Sequence, residues 1–155
     1  MMVTINDYFL ELLTGFTPSQ SRMDDAKKSA EDVREHLKQY GDYPTCVPAT
    51  LLSGSYKRHT AINDIHDVDI LVFPDIMEND CTPEDALNHL RKALSDFPDS
   101  MTSTRSQTRS VRITLEKRNM DLDIVPALNH EPDNMVPLRI PDRSASCWID
   151  LYLLV

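Results

Sequence analysis

Asp67-Val68-Asp69 runs without a break into Ile70-Leu71-Val72-Phe73, and Pro74 closes the run. An apolar segment of that length, rich in branched and aromatic residues and bounded by a turn signal, predicts a buried strand. Side chains two apart on a strand share a face, so Asp67 and Asp69 point the same way. Two carboxylates side by side at the mouth of a core strand repel each other and gain nothing from burial. A divalent cation between them removes that conflict.

Just upstream stands Ser53-Gly54-Ser55. The chain has only three Gly against ten Pro, so each Gly is expected where the backbone requires one. A short helix over residues 55–62, starting at the Gly54-Ser55 corner, would present free N–H groups and the positive end of its dipole. Such a corner suits a phosphate. Corner and carboxylates together read as a metal-dependent phosphoryl-transfer site.

A pair of metals needs a third carboxylate. Residues 108–115 alternate, with Val111, Ile113 and Leu115 on one face and Arg112 and Thr114 on the other. After the polar turn Glu116-Lys117-Arg118-Asn119, residues 120–125 alternate again, Asp121 and Asp123 sharing the polar face. The two runs predict an antiparallel hairpin. Asp123, nearer the strand end before Pro126, is the expected third ligand and Asp121 the alternative. Three Asp on neighbouring strands can hold two ions about 3.5–4 Å apart, and oxygen-only ligands favour Mg²⁺ or Mn²⁺ over zinc.

Elsewhere the chain supplies helices to cover a sheet. Residues 6–13 suggest a short amphipathic helix capped by Asn6. Thr17-Pro18-Ser19-Gln20 carries start signals for a helix to about Tyr40, with Thr17 as cap and Gly41 as the left-handed residue past its end. Its apolar stripe is Met23, Ala26, Ala30, Val33, Leu37 and Tyr40. Ala49 to Leu52 reads as a short strand after an extended stretch marked by Pro44 and Pro48. Thr82-Pro83 starts a helix that turns Ala86, Leu87, Leu90 and Leu94 inward and ends before Pro98.

At 155 residues the chain is one domain with room for a real core. A net charge of −9 argues against a protein that grips long nucleic acid and favours small phosphorylated substrates. Cys46, Cys81 and Cys147 show no paired spacing, which fits a reducing cytoplasm, and no run is long enough to span a bilayer. The protein is expected to be soluble and cytoplasmic, without a membrane partner. His66 is read as a loop residue with metal ligation as its rival reading. Arg105, Arg109 and Arg112 are divided equally between phosphate or acceptor-nucleotide contacts and a solvated strand face.

Gly54-Ser55-x-x-Arg58-x-Thr60, then Asp67-x-Asp69, then Asp123-Ile124-Val125-Pro126-Ala127, resembles the nucleotidyltransferase superfamily of DNA polymerase β. Within it the chain is most similar to the bacterial cyclic-oligonucleotide synthases (CD-NTases), relatives of cyclic GMP-AMP synthase and oligoadenylate synthase that act in CBASS anti-phage signalling. The helix opening at Thr17-Pro18 and the segment Ile140-Pro141-Asp142-Arg143 add to the likeness. It implies an α+β fold, a polymerase β-like palm with a mixed sheet and helices mainly on one face. It also implies nucleotidyl transfer from ATP, GTP or another NTP into a cyclic di- or oligonucleotide second messenger, with two Mg²⁺ or Mn²⁺ ions.

On this likeness Gly54 and Ser55 contact the donor triphosphate, and Arg58 and Thr60 support them. Asp67 and Asp69 ligate both metals; Asp123 ligates the catalytic metal and helps deprotonate the attacking ribose hydroxyl. His59 is bulkier than the small residue often found at its position.

The likeness also implies a helical region after the palm. The expected division is a palm over residues 1–149 and the truncated start of that region over 150–155; the apolar ending from Cys147 to Val155 is expected to have no partner within the sequence. A complementing chain would supply the rest, and weak or no activity is expected from these residues alone. The rival readings are a minimal, antitoxin-like nucleotidyltransferase that modifies a protein or RNA, and a catalytically dead nucleotide-binding remnant.

Overall fold

The computed structural model of the chain describes residues 4–57, 66–98, 105–128 and 137–152. In order the elements are α1 (Ile5–Phe16), α2 (Gln20–Gln39), β1 (Thr45–Leu52), α3 (Gly54–Lys57), β2 (Asp67–Pro74), α4 (Pro83–Ala93), β3 (Arg105–Ser106), β4 (Val111–Leu115), β5 (Met120–Pro126), β6 (Leu138–Asp142) and β7 (Cys147–Leu151). Five strands form one sheet in the order β1-β2-β5-β4-β3, and β6 and β7 form a separate two-stranded sheet. Only β2 and β5 pair in parallel within the larger sheet; its other neighbours are antiparallel. The fold is therefore the expected α+β arrangement around a mixed sheet.

Period-two alternation divides the sheet into two faces. Val68, Ile70 and Val72 of β2, Val111, Ile113 and Leu115 of β4, and Met120, Leu122 and Ile124 of β5 are buried on one face. Over them lie Ala26, Ala30, Val33 and Leu37 of α2 and Leu87, Leu90 and Ala93 of α4, in the same cluster. Each fully buried Leu or Ile there contributes about 1.5–3 kcal/mol. The opposite face is divided along its length. Toward the end of β2, Leu71 and Phe73 pack with Leu138 and Ile140 of β6, and with Ile149 and Leu151 of β7 at the margin. Toward its start the same face carries Asp67 and Asp69.

Several local readings need correction. Asn6 does not cap α1: Thr4 does, its hydroxyl accepting from the Asp7 N–H while Asp7 reaches back to the Thr4 N–H, a reciprocal capping box. Thr17 does not cap α2 either. Its N–H and hydroxyl both turn back to the Leu13 carbonyl and close α1, so Ser19 caps α2. Gly41 is not left-handed, because the backbone has already left the helix at Tyr40, with ψ 86. Strand β1 starts earlier than Ala49 and runs through Pro48, with an irregular register between Thr45 and Thr50. A residue without an N–H is tolerated there because β1 is an edge strand.

The apolar ending does have a partner: residues 147–151 pair antiparallel with residues 138–142. Helix α1, by contrast, buries none of its residues and leaves Ile5, Tyr8, Phe9, Leu13 and Phe16 exposed. No helix among the described residues is long and apolar enough to cross a membrane.

Candidate active site

Register places the carboxylates. In the parallel pair β2–β5, Asp67 lies opposite Asp121 and Asp69 opposite Asp123. Neighbouring strands are about 4.8 Å apart, so four Asp occupy one small area of the face that the β6–β7 hairpin leaves open. Val68 and Leu122, between them, point into the core and are fully buried, which fixes both strands against slipping. Asp69 and Asp123 are part-buried and Asp67 is exposed.

The Gly54-Ser55 corner meets this patch. Gly54 has φ +67, a left-handed conformation, and it is the only Gly with a positive φ. A Cβ at this position would lie 2.0 Å from Asp69 Oδ2. The Ser53 N–H donates to the Asp69 carbonyl at 2.8 Å, holding the corner against β2. Both the backbone conformation and the close approach thus require glycine at 54.

Strand β4 brings a cation into the same patch. Arg112 lies opposite Asp123 in the β4–β5 register. Its Nε donates to Asp123 Oδ1 at 2.9 Å and one terminal nitrogen to Asp123 Oδ2 at 2.6 Å, a bidentate clasp. The guanidinium also lies 3.6 Å from Asp67 and 3.7 Å from Asp121. The Asp123 hydrogen bonds above all, then the charges of Asp123, Asp67 and Asp121, push its pKa up, so it is permanently charged. Thr114, opposite Asp121, donates its hydroxyl to Asp121 Oδ1 at 2.6 Å. Among the described residues, no three carboxylate, imidazole or thiol groups stand together in a way that could hold a metal ion. The donor set nonetheless fits a hard divalent ion in kind: all oxygen, strongly anionic, and already holding a cation.

A second arginine ties α2 to the turn between β4 and β5. Arg22 of α2 donates to the carbonyls of Arg118 and Asn119 at 2.7 and 2.5 Å, and meets His66 Nδ1 at 2.5 Å. The His66 ring is also 3.1 Å from the Asn119 carbonyl, so it serves the turn between β4 and β5 and is engaged there. Arg109 pairs with Asp142 at 2.8 Å, not with the acidic patch. Of the residues expected at the nucleotide, Gly54 lies against Asp69 and Ser55 follows it in α3, whereas Arg58 and Thr60 lie outside the described residues. So do residue His59 and the side chains of Lys57 and Arg105.

Sequence reasoning left Arg112 undecided, although the hairpin register would have found its partner. With Leu115 opposite Met120 across the turn, position 112 must face position 123. Arg22 carries no comparable local signal.

A family model described as Second Messenger Oligonucleotide or Dinucleotide Synthetase domain matches residues 2–151. A cyclic AMP-AMP-AMP synthase of Acinetobacter is 30% identical over 156 residues, covering 96% of this chain and 43% of the relative. A cyclic AMP-AMP-GMP synthase of Enterobacter hormaechei is 32% identical over 120 residues, covering 75% of this chain and 31% of the relative. The chain thus spans well under half the length of these curated relatives. Among solved structures, the Bradyrhizobium diazoefficiens CD-NTase CdnG in complex with GTP superposes with a TM-score of 0.76 at 21% identity, over 94% of this chain and 43% of that one. CdnC of E. coli, in its complex with HORMA-deltaN, gives 0.63 at 23% identity, over 90% and 44%. These superpositions establish a shared fold.

Proposed function

Because the chain belongs to the Second Messenger Oligonucleotide or Dinucleotide Synthetase family, we propose that it carries the palm half of a metal-dependent nucleotidyltransferase that joins NTPs into a cyclic di- or oligonucleotide. The observation that carries the reading is the β2–β5 register, which sets Asp67 and Asp69 opposite Asp121 and Asp123 beside a left-handed Gly54. Asp67, Asp69 and Asp123 would hold two ions, Mg²⁺ or Mn²⁺. When bound, these neutralise the triphosphate and the leaving pyrophosphate and acidify the attacking hydroxyl.

The chain's own residues would do the rest. Gly54, lacking a side chain, lets the backbone approach the donor phosphates, and Ser55 contacts them; Arg58 and Thr60 support that grip. Asp123, opposite Asp69 and nearer the corner than Asp121, takes the proton from the attacking ribose hydroxyl. Asp121, hydrogen-bonded to Thr114, shapes the wall of the site.

Base selection and cleft closure are proposed to need a further, complementing segment. The curated relatives are more than twice as long as the stretch they share with this chain, and α1 offers an exposed apolar face for packing. The product would serve as a second messenger in anti-phage signalling in the cytoplasm.

Incubation of the purified chain with radiolabelled ATP and GTP and Mg²⁺ or Mn²⁺ tests this reading. It is run alone and with the portion of the Acinetobacter synthase beyond the shared stretch. Cyclic product that disappears in the Asp67→Ala/Asp69→Ala double variant is the expected result. A labelled macromolecule would replace it with the minimal-transferase reading, and nucleotide binding without product under every condition with the remnant reading.

A further inference from the structure

The acidic patch has a cation of its own, and that cation is part of the chain. We propose that Arg112 is a built-in counter-ion that holds Asp123 closed against divalent metal until it is displaced, so that metal binding and the Arg112–Asp123 clasp exclude each other. The inference rests on the reading of Asp67, Asp69 and Asp123 as metal ligands.

Arg112 meets both Asp123 oxygens, Nε to Oδ1 and a terminal nitrogen to Oδ2. A guanidinium fork in this geometry takes the same inward-facing lone pairs that a carboxylate offers a metal. Its contacts at 3.6 Å to Asp67 and 3.7 Å to Asp121 put its charge between the two aspartate strands. An ion arriving there would meet a like charge at close range and carboxylates already satisfied.

The clasp is also suited to opening. Arg112 is 30% exposed and on an open face, so its head has a path to water, whereas Asp123 is only 15% exposed and fixed in β5. The guanidinium also offsets the mutual repulsion of the three carboxylates it meets, Asp67, Asp121 and Asp123. Arg112 is thus a positioning residue: it keeps the patch assembled without metal and sets the metal concentration needed to load it. Arginine is required for the two-point grip, which lysine's single ammonium cannot reproduce.

Mn²⁺ titration followed by electron paramagnetic resonance tests this on the full chain, in wild type, Arg112→Gln, Arg112→Lys and Lys38→Gln. Lys38→Gln removes the same charge from α2, far along the sequence, where among the described residues Lys38 pairs with Glu35. Displacing a charge-assisted bidentate hydrogen bond should cost the wild type about tenfold or more in affinity. Arg112→Gln should therefore bind Mn²⁺ at least about tenfold more tightly, Arg112→Lys should fall between, and Lys38→Gln should match wild type.

Since Arg112→Gln could lose its fold without metal, the wild type is also followed by the Nε–Hε resonance of Arg112 in a Mg²⁺ titration. That resonance should move along the binding curve. Equal Mn²⁺ affinity in wild type and Arg112→Gln, weaker binding in Arg112→Gln, or a resonance unmoved at Mg²⁺ saturation would overturn the inference and leave the metal site standing. Absence of binding in every variant would overturn both.

Discussion

Replacing Gly54 by Ala should destabilise the chain through two separable effects. At φ +67 an L-residue costs about 1–2 kcal/mol. The new Cβ would also lie 2.0 Å from Asp69 Oδ2 and 2.9 Å from its Cγ, so the carboxylate must leave its position. Forcing a side chain off its rotamer adds about 0.5–1.5 kcal/mol. Together the loss is about 1.5–3.5 kcal/mol, which for a chain of this size lowers Tm by about 3–14 °C. The assay is thermal and urea unfolding in EDTA, with Gly41→Ala as reference; Gly41 has no positive φ and nothing within 4 Å of an added Cβ. Combining Gly54→Ala with Asp69→Ala should restore the steric part, about 1 kcal/mol, relative to the two single changes added together. If Gly54→Ala proved as stable as Gly41→Ala, or if the double variant showed no coupling, the corner would not be pressed against Asp69 and the reasoning would fail.

Other perturbations follow from the same contacts. Arg22→Ala removes donors to two carbonyls of the β4–β5 turn and the contact with His66, and should cost about 1–2 kcal/mol in urea unfolding, with faster amide exchange at Asp121, whose N–H donates to the His66 carbonyl. Asn119 closes that turn at φ 46 and ψ 57, so Asn119→Gly should be tolerated while Asn119→Val costs about 1–2 kcal/mol, read as a Tm difference between the two variants. Asp142 accepts from the Ser144 hydroxyl, the Arg109 guanidinium and the Ala145 N–H, in that order of effect, and its pKa is held down to about 2. A folded pKa below the unfolded value near 3.8 stabilises the fold above about pH 4 and loses that contribution as pH falls toward 2. Urea unfolding of wild type and Asp142→Asn should therefore converge between pH 5 and about 2.5, and a gap constant with pH would contradict the assignment.

The parts of the fold legible in the sequence were those written in one clear period. The polar and apolar alternation of residues 111–115 and 120–125 located β4 and β5 and put Asp121 and Asp123 on the open face. The three-and-four spacing from Ala26 to Leu37 located the buried side of α2. Asp67 and Asp69 were legible because carboxylates at a core strand conflict with burial unless something cationic answers them; the structure sets Arg112, a residue the sequence offered with two competing roles, 3.6 Å from Asp67.

The β6–β7 hairpin was not legible, because its signals oppose its structure. Pro141 interrupts the first strand, and the turn has no Gly, Ser146 taking the left-handed conformation at φ 51 instead. Packing of Ile140 and Ile149 with Leu71 and Phe73 overrides those local preferences. The helix caps were misread for a similar reason: Thr17 and Asn6 are good cap types, but Thr4 and Ser19 complete their hydrogen bonds.

The most direct test of the central claim is a crystal structure of the chain grown with Mn²⁺ and a non-hydrolysable nucleoside triphosphate, with the ion located by anomalous scattering. The predicted result is Mn²⁺ within about 2.5 Å of carboxylate oxygens of Asp67, Asp69 and Asp123, with the triphosphate against Gly54 and Ser55. Manganese found elsewhere, with no triphosphate at that corner, would contradict it.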